Sequence, residues 1–295
     1  MKIWFPVFLG SVAVGGQYRF ARPGQPEPAV NPVMLVIAVA LAVVLAGCGQ
    51  PGAPRTVPPS GSAAVPPVHL SAAQTARLPR ATTFGRLLPG APRDQDAAAP
   101  GLGIVLHPTA SRVVYAHPGG PPVAVLPSSQ FGGPTWVPVV QSRPGWDRVL
   151  LPTRPNGSTG WVYLGGSGLQ VASDSYRIEV NLAGYRLSLT DDGRVLGSWA
   201  VAVGAPHTPT PTGRTFLLAS AAPAHPTFSP LILALGLHSD ALRSFDGGPG
   251  TVALHGWPDP AVFGHPVSHG CVRIPATALQ VLSRVPIGTV VTITS

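Results

Sequence analysis

Proline or glycine interrupts this chain every few residues, with 37 Pro and 35 Gly among 295 residues. Proline removes a backbone donor and clashes inside a helix, and glycine is entropically costly there. Such a chain is rich in turns and short strands and poor in long charged helices. The chain is 45% hydrophobic, enough to build a core, which excludes global disorder. Its formal net charge is +8. The charges balance from Asp174 to the end, so the whole excess lies upstream, nearly all of it as scattered arginines. There is no basic run and no aromatic–basic stripe, so no nucleic-acid partner is expected. The excess fits solvated chain near an anionic membrane surface.

Residues 1–48 read as a signal segment. Val33 to Ala46 is almost unbroken apolar sequence. It is shorter than the roughly 20 residues of a membrane span and suits a signal-peptide core. It ends in Leu45-Ala46-Gly47-Cys48, which resembles a bacterial lipobox and implies lipid attachment at Cys48. The alternative is an uncleaved anchor; either exports the rest of the chain. Residues 49–101 are Pro-, Ala- and Arg-rich without periodicity and read as a tether. Leu70 to Leu88 has room for a short helix, interrupted by Pro79.

Residues 103–166 carry β-like runs separated by Gly and Pro: Gly103–Leu106, Val113–Ala116, Val123–Leu126, Thr135–Val140, Trp146–Leu151 and Gly160–Tyr163. Trp146-Asp147-Arg148-Val149-Leu150-Leu151, then the turn Asn156-Gly157 and the strand Gly160-Trp161-Val162, resemble a bacterial SH3-like barrel. Such a module docks on cell wall or shapes an active-site entrance; the plainer alternative is a spacer with Trp146 and Trp161 in its core. Residues 174–295 form a second region. Arg177–Val180, Arg186–Thr190 and Ser198–Val203 alternate polar and apolar, as half-buried strands do. Asp192-Gly193 is a tight turn. Pro275 opens a helix over Ala276–Val285, and Thr289–Ile293 is a last strand.

The chemistry concentrates in Ser268-His269-Gly270-Cys271-Val272-Arg273, with His255-Gly256 upstream. Cys271 is one of 2 cysteines, and the other is Cys48. A lone exported thiol staples nothing, so its use is chemical. Imidazole and guanidinium beside it favour the nucleophilic thiolate. His269 at i−2 shares a face with Cys271 in extended chain, and His255 arrives from a neighbouring strand; either serves as base. Gly256 and Gly270 allow close backbone approach, and the amides of Gly270 and Cys271 are candidate oxyanion donors. Ser268 is a candidate partner that sets an imidazole tautomer. Arg273 is suited to a carboxylate. Asp246, Asp259 or a backbone carbonyl would orient the base. A zinc site built from His255, His265, His269 and Cys271 lacks a nearby Glu base, since Glu27 and Glu179 lie elsewhere, so no metal and no cofactor are expected.

These residues are similar to the signature of the bacterial L,D-transpeptidases, a His, a dozen residues, then [Ser/Thr]-His-Gly-Cys-x-[Asn/Arg]. Val203-Gly204 through Thr210-Pro211-Thr212-Gly213 and the ending Gly288-Thr289-Val290-Val291 resemble further parts of the family. The resemblance implies a mostly β chain: an L,D-transpeptidase-type β-sandwich with a late helix, after the SH3-like barrel. It implies Cys271 as nucleophile, His255 or His269 as base, Gly270, Ser268 and Gly256 in support, and Arg273 toward substrate. It implies peptidoglycan stem peptides as donor and acceptor, 3→3 cross-links with release of D-Ala, carbapenem-type β-lactams as covalent inhibitors, and a membrane-anchored, extracytoplasmic place facing the cell wall. Hydrolysis of the same thioester, an L,D-carboxypeptidase, and a non-catalytic wall-binding lipoprotein are the alternatives. Papain-like enzymes place Cys before His, the reverse of the order here.

Overall fold

The computed structural model describes residues 19–20, 64–245 and 247–295. The signal segment, Cys48 and Asp246 lie outside the described residues. The chain is mostly β, with short helices at Ala72–Arg77 and Ala276–Leu282.

The amino-terminal β region is an antiparallel 8-stranded sheet. Its order is 19–20, 169–173, 104–108, 137–143, 146–150, 159–163, 112–115, 122–126. Trp146 and Trp161 are core residues here. Trp146 is fully buried and donates its indole N–H to the Val65 carbonyl at 2.7 Å. Neither ring is left to stack on a sugar.

The carboxy-terminal region is a mixed 8-stranded sheet in the order 194–200, 186–191, 176–181, 290–294, 213–221, 232–238, 251–256, 272–274. The pairs 176–181/290–294 and 251–256/272–274 are parallel. The sheet curls until its edges meet: Ala202, just past one edge strand, exchanges both backbone hydrogen bonds with Arg273 on the other, at 3.0 and 2.8 Å. Closure removes the open edges that invite mispairing. Inside lie Ile178, Leu187, Leu217, Leu235, Leu254, Val272 and Ile293, with Leu279 and Leu282 of the helix over them. The helix begins at Ala276, directly after Pro275, as expected, and ends at Leu282, three residues short of the expected Val285. The Asp192-Gly193 turn joins its two strands as expected.

Strands 213–221 and 232–238 were not legible as alternating segments. Gly213-Arg-Thr-Phe-Leu-Leu-Ala-Ser-Ala221 is buried on both sides. Leu217 enters the carboxy-terminal core, while Phe216 and Leu218 pack with Leu106, Val139 and Val149 of the other region. A strand covered on both faces reads as a continuous apolar run.

The stretch from 64 to 101, expected as free tether, is packed against both β regions. Ala81 donates to the Val125 carbonyl at 2.8 Å, Asp94 to Gly157 at 2.7 Å, and Thr159 donates to Pro92 at 2.7 Å. Ala81, Thr83, Leu88 and Ala91 are buried. The Asp94 carboxylate holds Arg214 of strand 213–221 in a two-pronged ion pair at 2.7 and 2.9 Å, with 3% and 4% of the side chains exposed. This segment makes isolated bridges rather than a strand, so no periodicity announces it.

Candidate active site

The Cys271 turn sits where the sheet closes. His255 pairs with Arg273 and Leu254 with Val272 across the parallel strands. Side chains alternate along a strand. Val252, Leu254, Val272 and Ile274 therefore enter the core, while His255, Cys271 and Arg273 share the outer face. Cys271 is two residues out of register with His255. With strands about 4.8 Å apart and a rise of about 3.3 Å per residue, their Cα atoms are about 8 Å apart, within reach of an imidazole. The backbone of Ala253, its register neighbour, is hydrogen-bonded to the Cys271 thiol.

His255 is buried, and its Nδ1 lies 2.9 Å from the Gly256 carbonyl oxygen. A carbonyl only accepts, so Nδ1 carries the proton and Nε2 is left with its lone pair. This backbone carbonyl takes the place of a third acidic residue. Asp259 is engaged elsewhere, accepting the Ala261 amide at 2.9 Å. The imidazole is walled by Phe228, with ring centroids 4.9 Å apart, and Phe228 also meets Trp257 at 5.5 Å.

Burial dominates the protonation of the pair. It lowers the His255 pKa, against the Gly256 hydrogen bond, and Arg273 lowers it further. It raises the Cys271 pKa, over the opposing effects of the Ala253 backbone and Arg273. The flanking cation was expected to favour thiolate, but desolvation outweighs it. Both shifts favour the neutral thiol and imidazole over the ion pair. A raised thiol pKa means that thiolate accumulates only as pH rises. Alkylation of Cys271 by iodoacetamide should therefore climb through and beyond the ordinary thiol range, about 8.5, with no plateau between pH 5 and 7. A plateau already present at pH 6 would show a preformed ion pair.

The other expected residues fall into distinct places. His269 is exposed and lies against Phe245, with centroids 5.5 Å apart. Ser268 braces the turn instead of an imidazole: its Oγ donates to the Cys271 carbonyl at 2.5 Å and accepts the Gly270 amide at 3.1 Å. The Gly270 amide is thereby committed to Ser268 and not presented as an oxyanion donor in this conformation. Gly270 has φ +114, and a Cβ there would meet the Pro209 and Thr208 carbonyls at 3.6 and 3.7 Å and Ser239 Oγ at 3.8 Å. Gly256 is pinned by Ser229 Oγ, which accepts its amide at 2.8 Å. Arg273 lies over the Trp257 ring at 3.6 Å, with its buried Nε unpaired among the described residues. His265 is exposed, and no three His, Cys, Asp or Glu side chains cluster as metal ligands among the described residues.

Sequence reasoning missed Trp257 and the individual contacts of Phe228, Ser229 and Ser239. Aromatics and serines in loops carry no motif, and only the fold brings them here. The Val203–Gly213 stretch does hold the turn: the Ala205 amide and Thr208 hydroxyl donate to the Ser268 carbonyl at 2.9 and 3.0 Å. Residues 227–250 contain strand Ile232–His238, and only the flanks of that strand are loop. A cavity of about 380 Å³, lined by Phe228, Leu231, Trp257, Pro258 and Leu279, adjoins the aromatic wall but does not contain Cys271 or His255.

Among solved structures, an L,D-transpeptidase from Mycobacterium smegmatis is similar at 14% identity over 51% of this chain and 91% of its own, with a TM-score of 0.34. The catalytic domain of the E. faecium L,D-transpeptidase matches at 22% identity over 40% of this chain and 95% of its own, TM-score 0.30. L,D-transpeptidase 3 from Mycobacterium tuberculosis, in complex with a faropenem-derived adduct, matches at 13% identity over 64% and 95%, TM-score 0.36. No curated protein matches the chain. Residues 175–293, which include every residue of the Cys271 turn and its His255 neighbour, match the family model of the L,D-transpeptidase catalytic domain, YkuD.

Proposed function

We propose that this chain is a peptidoglycan L,D-transpeptidase that forms 3→3 cross-links through a thioester on Cys271, anchored by lipid on Cys48 outside the cytoplasm. The observation that supports it most is that the Cys271 turn leads directly into strand 272–274, which pairs in parallel with the His255 strand, within the residues that match the family. The oriented imidazole favours His255 over His269 as base. In this reading His255 Nε2 takes the thiol proton as sulfur attacks the carbonyl of the third residue of a tetrapeptide stem. The carbonyl–nitrogen bond breaks, and the proton passes to the departing D-Ala amine. A side-chain amine of a second stem then attacks the thioester, loses its proton to His255, and returns the thiol. Desolvation suits this route, since neutral partners cost less to bury than an ion pair. The Arg273 guanidinium, stacked on Trp257 beside the His255 strand, supplies the positive charge suited to a stem carboxylate. A carbapenem, an acylating mimic, is expected to modify Cys271.

One experiment tests the reading. The full chain, extracted from membranes, is incubated with a disaccharide-tetrapeptide and weighed intact beside Cys271→Ala. Lipid on Cys48, an adduct of donor minus D-Ala that requires Cys271, and a cross-linked dimer are the expected results. Released tripeptide without dimer would make the enzyme an L,D-carboxypeptidase. Folded protein with neither adduct nor product would overturn the catalytic reading in favour of wall binding, and an unmodified Cys48 would remove the anchor alone.

A further inference from the structure

We propose that Arg154, contributed by the amino-terminal β region, is a positioning residue that holds the loop 239–250 against the Cys271 turn and so shapes the entrance for the donor. The role as donor entrance rests on the transpeptidase reading; the positioning does not.

Three carbonyls of the loop converge on this one guanidinium. Nη1 donates to Ser239 at 3.0 Å, and Nη2 donates to Leu242 at 3.3 Å and Pro249 at 3.1 Å. These residues stand at the two ends of the loop, so Arg154 ties its neck. The neck is also closed by the Ser239 amide on the Gly250 carbonyl at 2.8 Å. Gly250 has φ +73, and a Cβ there would lie 2.3 Å from the Leu242 carbonyl, so only glycine lets the strands of the neck approach this closely. Two residues on, Asn156 extends the clamp. Its amide accepts the His238 N–H at 2.9 Å and donates to the His238 carbonyl at 2.7 Å and Asp240 Oδ1 at 3.0 Å.

What the clamp holds reaches the site. Ser239, nearly fully buried at 3% exposure, sets its Oγ beside Gly270 in the nucleophile turn. At the tip, Phe245 is 49% exposed and faces His269. The loop thus contacts the turn at its base and overhangs it at its tip, while its ends are fixed from the other β region. A planar guanidinium with five donors suits three divergent carbonyls; an ammonium on a flexible stem has the donors but not the fixed fork. The physical consequence is that the amino-terminal region acts on substrate admission without touching the reacting atoms.

The test uses the full chain carrying Arg154→Ala, Arg154→Lys or Phe245→Ala. Arg154→Ala should speed amide exchange across 239–250 by about tenfold or more, the scale of losing hydrogen bonds to a charged group. It should raise the KM for the tetrapeptide donor about tenfold, with kcat changed far less and with the rate and pH profile of Cys271 alkylation by iodoacetamide unaltered. Arg154→Lys should recover part of the loss. Phe245→Ala, which removes an exposed ring and leaves the fold alone, should raise KM in the same way. Unchanged exchange in the loop would overturn the positioning role. So would a common fall in turnover, alkylation and thermal stability, which marks general damage. If the wild type turns over no tetrapeptide, the functional reading has failed instead, and exchange and alkylation still decide whether Arg154 holds the loop.

Discussion

Cys271→Ser is expected to reduce acyl transfer by at least about 1000-fold, the scale of losing a nucleophile that works as a unit with its base. Serine preserves size, and the surrounding contacts are backbone ones: the Ser268 hydroxyl on the Cys271 carbonyl and the Ala253 hydrogen bond. Melting should therefore move little, and the loss should appear in turnover alone. The imidazole at this site has a lowered pKa, so it is a weak base. A weak base still serves a thiol, whose proton is far easier to remove than that of a hydroxyl. Cross-linking or D-Ala release retained within tenfold of wild type would rule out a thioester on this residue.

The largest stability effect is expected far from the site. Arg214→Ala should destabilise the fold by about 3–5 kcal/mol, because it strands the buried Asp94 carboxylate without its partner. The Ala99 carbonyl, which accepts from Arg214 Nη1 at 2.8 Å, is also left unpaired. For a chain of this size that is a fall in melting temperature of about 10 °C. Asp94→Leu with Arg214→Met, which replaces the pair by apolar side chains, should recover most of the loss. Denaturant unfolding of Asp94→Leu, Arg214→Met and the double variant gives the coupling directly. A change below about 1 kcal/mol in either single variant would mean that the 64–101 segment does not hold the β regions together through this pair.

The sequence revealed much of the site but little of its surroundings. Cys271, His255 and Arg273 were legible because chemistry limits which residues serve, and their spacing is short enough to be a motif. Strands such as Arg186–Asp191 were legible because one face is wet and alternation records it. The inner strands 213–221 and 232–238 lose that record, being covered on both sides. Asn156 looked like a plain turn residue, yet its amide clamps His238 in the other region. Thr83 looked like tether, yet its hydroxyl lies 2.9 Å from His238 Nε2 and 2.6 Å from the Thr251 hydroxyl on the His255 strand.

By itself the sequence determined the mostly β character, through the punctuation of Pro and Gly, and singled out the candidate reactive residues, through a local pattern of Ser, His, Gly, Cys and Arg. Both are short-range properties, written within a few residues of one another. Only the tertiary structure decided the burial that shifts the pKa values of Cys271 and His255, the commitment of Ser268 and Gly270 to bracing the turn, and the folding of the presumed tether onto both β regions. Each of these depends on burial or on hydrogen bonds between residues distant in the chain. Desolvation energies and long-range partners are set by what packs around a group, not by its neighbours in sequence.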